Sequence, residues 1–215
     1  MRTLAIIPAF NEEIGLGKLL DRLLSLNLLP LCDVLVIDDG STDGTYRVAK
    51  GRGIRVFRHD VNKGKGEALK TGFRIALMEN YDAVITLDAD LQHPPEKIGE
   101  LLDALKTRWD IVVGSRFRNL EGMPFLNYLS NRLTTLILSL IVGKKLEDTQ
   151  SGFRALRTYV LRRVKLKTNH FDFESEILAK AARMGFRIGV VPIKTIYGAE
   201  KSHVNKLLDT LRFIK

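Results

Sequence analysis

The sequence predicts an α/β fold in which a mostly parallel sheet is covered by helices on both faces. Three observations carry that expectation: short aliphatic and β-branched runs with little polar alternation, stretches of helical period between them, and a steady exchange of the two through the first half of the chain. The 215 residues, 45% hydrophobic and 27% charged, allow a sizeable core and exclude a disordered or collagen-like chain.

The elements follow in order. Leu4-Ala5-Ile6-Ile7 reads as a first strand, and Ile14, Leu16, Leu19, Leu20, Leu23 and Leu24 mark the helix after it. Val34-Leu35-Val36-Ile37 leads to a helix near 43–50, Ile54-Arg55-Val56-Phe57 to one near 65–79, and Ala83-Val84-Ile85-Thr86-Leu87 to one near 94–106. Ile111-Val112-Val113-Gly114 is a fifth strand. Beyond Ser115 the rhythm breaks: a link through Gly122 and Pro124 opens a long helix over about 125–142. The loop Asp148-Thr149-Gln150-Ser151-Gly152 then precedes short elements, a helix near 172–184, a strand near 188–191 and a C-terminal helix near 205–214.

The net charge of +9 points to nucleic acid, an anionic membrane surface or a phosphate-rich small molecule. Nucleic acid is set aside, because aromatic residues make up only 7% and no nucleic-acid-binding signature occurs; the run Arg162-Arg163-Val164-Lys165-Leu166-Lys167 reads as a solvated face. With Cys32 alone no intramolecular disulfide forms and no structural zinc site is credible. No secretory signal is visible, and the most apolar stretch, 133–142, falls short of the roughly 20 residues of a bilayer span. The expected location is the cytoplasm, with peripheral attachment to the inner face of the cell membrane.

Ligands of such sheets bind beyond the carboxyl ends of the strands. The first strand delivers Pro8-Ala9-Phe10-Asn11-Glu12-Glu13, with Asn11 placed to cap a helix; Gly15-Leu16-Gly17 comes too late for a dinucleotide fingerprint, and no Walker loop occurs. The second delivers Asp38-Asp39-Gly40-Ser41-Thr42-Asp43. Two carboxylates at a buried strand end need a partner, which a base or ribose would supply. The fourth delivers Asp88-Ala89-Asp90-Leu91-Gln92, whose alternate side chains share one side in extended backbone and offer hard oxygens suited to Mg²⁺ or Mn²⁺. Lys63-Gly64-Lys65-Gly66, Arg116 and Arg118 add positive charge suited to a diphosphate.

Together with Gly114-Ser115-Arg116 and Asp148-Thr149-Gln150-Ser151-Gly152-Phe153-Arg154, these stretches occur in the order of the family 2 glycosyltransferases of GT-A fold. The chain most resembles the branch holding dolichyl-phosphate mannose synthases and bacterial polyprenyl-phosphate sugar transferases. The resemblance implies a Rossmann-like GT-A domain over 1–215, nucleotide-binding over 1–115 and acceptor-binding over 116–215. It also implies a metal-dependent, inverting transfer of sugar from a GDP- or UDP-linked nucleotide-diphosphate donor. On this reading Pro8, Ala9, Phe10 and Glu12 line the nucleotide pocket, Asp39 bonds the base, Lys65 lies near the nucleotide and Ala89 lies against the ribose. Asp88, Asp90 and Gln92 hold the metal, and Arg116 and Arg132 contact phosphate. Lys201 and Ser202 belong to a basic loop closing over the donor diphosphate, although Ala199-Glu200 replaces the arginine that mannose synthases carry before this lysine.

The acceptor expected is a polyprenyl phosphate. Phe125, Leu126, Leu129, Leu133, Leu136, Ile137, Leu140 and Ile141 recur at helical spacing with Arg132 among them, so one helix could dock on anionic lipid, hold the phosphate head at Arg116 and Arg132, and carry the tail along its apolar face. A phosphate is already anionic and needs no strong base. An alcohol acceptor, the alternative, would need one, and Asp148 is the candidate. Two further alternatives rank lower: a basic nucleic-acid-binding module, and a sugar nucleotidyltransferase, which would carry a glycine-rich loop where Phe10-Asn11-Glu12 stands.

Overall fold

The computed structural model describes residues 1–117, 123–166 and 173–194, so Arg118, Lys201, Ser202 and the helix expected over 205–214 lie outside the described residues. The elements are β1 (Thr3–Ala9), α1 (Glu13–Ser25), β2 (Asp33–Asp38), α2 (Thr45–Gly51), β3 (Arg55–Arg58), α3 (Lys65–Met78), β4 (Ala83–Thr86), α4 (Ile98–Thr107), β5 (Ile111–Ser115), α5 (Phe125–Val142), β6 (Arg154–Arg157), α6 (Thr158–Arg163), α7 (Phe173–Arg183) and β7 (Ile188–Pro192). They form one seven-stranded sheet in the order β3-β2-β1-β4-β6-β5-β7. All its pairings are parallel except those of β6, which runs antiparallel to both β4 and β5.

Helices cover both faces, as two separate apolar layers require. On one side Leu16, Leu19 and Leu20 of α1 and Leu101, Leu102 and Leu105 of α4 pack on Ala5, Ile7 and Ile85. On the other, Phe73 of α3, Val160 of α6 and Phe173 and Ile177 of α7 pack on Leu4, Ile6 and Val84. Full burial of such aliphatic and aromatic side chains stabilises by about 1.5–3 kcal/mol each, which makes these layers the main favourable contribution to the fold.

Two elements depart from the expectation. Strand β6 begins and ends with arginine, yet Arg154 is among the largest fully buried side chains. Its guanidinium donates to the carbonyls of Ser151 (2.7 Å), Thr149 (3.0 Å) and Glu174, which satisfies the charge inside the protein. The helix α5 is the second. It spans 18 residues and is long and apolar enough, by length and composition, to cross a membrane, where the shorter run 133–142 suggested otherwise. Thr134, Thr135 and Ser139 do not break it, because a helical hydroxyl can bond back along its own helix: Ser139 Oγ donates to the Thr135 carbonyl at 2.7 Å. The orientation of α5 is inverted relative to an ordinary surface helix. Asn131, Thr134, Thr135 and Leu138 face the protein, whereas Phe125, Leu126, Leu129, Leu133, Leu136, Leu140 and Ile141 are exposed.

Candidate active site

The loops after β1, β2, β3 and β4 meet at one edge of the sheet. Asn11 has a left-handed φ of 53° and does not cap α1 as expected; its Oδ1 accepts from Thr42 N at 2.9 Å, while Ser41 Oγ accepts from Asn11 N at 3.0 Å. Further along, Asp43 accepts from Glu13 N and Glu13 accepts from Gly44 N. The first two loops are thereby stapled together, with Pro8 and Ala9 buried at the end of β1, Phe10 exposed and Glu12 half-buried.

The adjacent carboxylates of β2 find their partners within the protein. Asp38 is fully buried, accepts from Ser41 N and pairs with Arg58 Nε at 3.1 Å. Asp39, 2% exposed, takes His59 Nδ1 at 2.6 Å, Lys63 N at 3.0 Å and Gly64 N at 2.8 Å. His59 in turn reaches Thr71 Oγ1 through Nε2 at 3.0 Å. Asp39 thus has partners within the protein as well as a place at the strand end, and it shapes the turn that precedes Lys65.

Beyond β4 the chain turns sharply, with Leu91 at a φ of 60°, a left-handed conformation that costs a non-glycine residue about 1–2 kcal/mol. Gln92 N donates to Asp90 Oδ1 at 3.0 Å, holding the turn closed. Asp88 sits 2.6 Å from Lys65 Nζ, and the same ammonium lies 2.8 Å from Glu174 Oε1 on α7. Ala89 is buried between the two aspartates. Burial pushes Asp88 up, but Lys65 and then His93 outweigh it and hold the carboxyl down at about 2. Asp90 goes the other way: burial, then the charge of Asp88, pushes it up to about 6. Burial lowers His93 to about 4, so this imidazole, stacked on Phe153, is neutral near pH 7.

Arg116 pairs with Asp148. Asp148 is fully buried and accepts from Arg116 N (2.8 Å), Nε (2.8 Å) and Nη2 (2.6 Å). Asp148, named as the candidate base for an alcohol acceptor, is thus enclosed and engaged in fixing the arginine. Arg132 is exposed on α5, its guanidinium 5.2 Å from the ring centre of Phe117, the residue after Arg116.

Lys65, Asp88, Ala89, Asp90 and Gln92 thus come together, with Asp39 behind the Lys65 turn. Glu174, His59, His93 and Arg154 were not legible as site residues. Acids in the first turn of a helix are ordinary, so Glu174 carries no distinguishing signal in the sequence. Among the described residues no three His, Cys, Asp or Glu side chains gather as a closed metal centre. Two carboxylates and an amide oxygen instead make an open set, of the kind that holds Mg²⁺ or Mn²⁺ with water and substrate phosphates completing the shell. The raised Asp90 fits that role, because a cation would relieve the repulsion from Asp88.

The sequence model of Glycosyl transferase family 2 matches residues 4–165. Among curated proteins, the chain is 35% identical to the undecaprenyl-phosphate mannosyltransferase of Micrococcus luteus, over 90% of this chain and 83% of that protein. It is 32% identical to the UDP-N-acetylglucosamine–dolichyl-phosphate N-acetylglucosaminyltransferase of Methanococcus voltae, over 89% and 84%. Among solved structures it shares its fold with glucosyl-3-phosphoglycerate synthase from Mycobacterium tuberculosis bound to Mn²⁺, UDP-glucose and phosphoglyceric acid, with a TM-score of 0.77, 24% identity and coverage of 99% of this chain and 77% of that one.

Proposed function

This chain belongs to glycosyl transferase family 2 and is a glycosyltransferase, and on that footing we propose that it moves a sugar from a nucleoside-diphosphate donor to a polyprenyl phosphate at the cytoplasmic face of the membrane. Residues 1–115 serve the donor, and the acceptor side begins at Arg116. The observation that carries the acceptor is α5: its apolar residues point away from the protein while its Arg132 lies over the ring of Phe117, the residue that follows Arg116 in the chain. The relatives named for undecaprenyl and dolichyl phosphate support the same acceptor.

Asp90 and Gln92 would hold a Mg²⁺ or Mn²⁺ ion, with Asp88 binding directly or through water. Such an ion would supply positive charge against the departing diphosphate. Lys65 adds a positive charge next to that point, and Asp39 keeps the Lys63–Gly64 turn against the nucleotide, where a base bonding to Asp39 would share an oxygen with Gly64 N. Pro8, Ala9, Phe10 and Glu12 form the neighbouring wall, and Lys201 and Ser202 are proposed to close the donor site. Arg116 and Arg132 orient the acceptor phosphate. A phosphate monoester attacks without surrendering a proton, so the enclosure of Asp148 is no obstacle to the reaction.

The test is transfer of radiolabelled sugar from a panel of GDP- and UDP-sugars to a short-chain polyprenyl phosphate with Mn²⁺ or Mg²⁺. Asp90→Asn is expected to lower turnover at least about a hundredfold without unfolding the protein, in line with the loss of one preorganised charge-stabilising group. Asp39→Ala is expected to weaken nucleoside-diphosphate binding in calorimetry. Transfer to phosphoglyceric acid or other soluble alcohols, with none to the lipid phosphate, would overturn the acceptor assignment.

A further inference from the structure

Lys65 stands between two carboxylates from distant parts of the chain, Asp88 after β4 and Glu174 at the start of α7. The side chain of Glu174 is only 8% exposed, and while its Oε1 meets the ammonium, its Oε2 is buried without a hydrogen-bond partner. A buried carboxylate oxygen left without a donor is costly. A lysine ammonium carries three N–H donors on a flexible stem, and the one already touching this carboxylate can swing to serve both oxygens. Glu174 itself is held in place. Arg154 donates to its backbone carbonyl and also to those of Thr149 and Ser151, tying α7 to the loop whose Gly152 lies against Asp88. Asp88 and Glu174 share the one ammonium, and Asp90 repels Asp88 beside it, so a divalent cation at the Asp88–Asp90 pair would compete with Lys65 for Asp88.

We propose that Glu174 is the holding carboxylate for Lys65: when a divalent cation takes Asp88, the ammonium withdraws onto both oxygens of Glu174. Lys65 thus competes with the cation for Asp88, and Glu174 sets how readily it yields. The proposal rests on the reading of Asp88 and Asp90 as cation ligands. It makes Glu174 a positioning residue, acting through Lys65.

The test is Mn²⁺ affinity, by calorimetry and by the electron paramagnetic resonance of free Mn²⁺, on the whole protein without nucleotide. Glu174→Gln is expected to bind Mn²⁺ about tenfold more weakly because Lys65 stays on Asp88, and Lys65→Met about tenfold more tightly. In the Lys65→Met background, Glu174→Gln is expected to have no further effect, and Glu174→Asp, which keeps the charge, to recover part of the affinity in the otherwise native chain. Persistence of the weakening without Lys65 would mean that Glu174 acts by its field alone, and would overturn the proposal. So would unchanged affinity in Glu174→Gln, or affinity not raised in Lys65→Met, an arm that stands even where Glu174→Gln fails to fold. Wild-type Mn²⁺ affinity in Asp90→Asn is a separate result: it removes the cation site itself and this proposal with it.

Discussion

Asp88 and Asp90 are two residues apart and are pushed in opposite directions, Asp88 down to about 2 and Asp90 up to about 6. Burial raises both. The difference is Lys65, whose ammonium lies directly on Asp88, whereas the nearest strong charge felt by Asp90 is Asp88 itself. A consequence follows for pH. Cation binding needs Asp90 ionised, so Mn²⁺ affinity is expected to rise by up to about tenfold per pH unit below 6 and to level off above it. The sign for stability is the reverse. Without metal, a carboxyl with a raised folded-state pKa favours the fold below its unfolded value and loses that contribution as pH rises through about 6, whereas stabilisation by Mn²⁺ follows the affinity and should be larger at pH 7.5 than at pH 5.5. Thermal melts with and without Mn²⁺ across that range check both statements. An affinity independent of pH, or one still pH-dependent in Asp90→Asn, would place the titrating group elsewhere.

At the level of elements, the acidic pair depends on close backbone approaches that only glycine permits. A Cβ at Gly152 would lie 2.7 Å from Asp88 Oδ2, and one at Gly15 would lie 2.8 Å from the Ala89 carbonyl. Gly152→Ala is therefore expected to weaken Mn²⁺ binding and to lower stability by about 1–3 kcal/mol through overpacking, measurable by calorimetry and denaturant titration; native metal affinity in that variant would show that the loop has room. These approaches also explain what could be read from the sequence. Strands β1, β2, β4 and β5 announce themselves as apolar runs, and β3 by the β-branched and aromatic Val56-Phe57 after Ile54, so the loop after each is found by counting from its end. Strand β6 does not, because Arg154-Ala155-Leu156-Arg157 has neither β-branching nor an apolar run, and its burial depends on three carbonyls supplied from elsewhere. Gly15 lies within α1 and makes contact with a loop more than 70 residues away, which no local spacing encodes. The same holds for Asp148. Its residue type suggested a base, and only the tertiary structure reveals Arg116 closed upon it.

At the scale of the whole molecule, the net charge of +9 and the inverted helix α5 point to the same surface. Partial burial of exposed leucines contributes up to about 1.5–3 kcal/mol per side chain, and α5 presents Leu126, Leu129, Leu133, Leu136 and Leu140 together. Basic residues near an anionic bilayer contribute about 1 kcal/mol each, and Arg132, Lys144 and Lys145 are exposed on or just beyond this helix. The apolar contribution is thus the larger, while the electrostatic one is screened within a Debye length of about 10 Å at 0.1 M salt. Co-sedimentation with vesicles of anionic phospholipid is accordingly expected to weaken, without vanishing, as salt is raised, and to be lost at any salt in the double variant Leu133→Glu, Leu136→Glu. Both leucines are more than half exposed, so their replacement should leave the fold and Mn²⁺-dependent nucleotide binding unchanged. Self-association is the competing occupant of this face. If the wild-type protein elutes as a dimer that the double variant breaks, and vesicle binding is the same in both, then α5 is a subunit interface and the lipid acceptor must be reached by another surface.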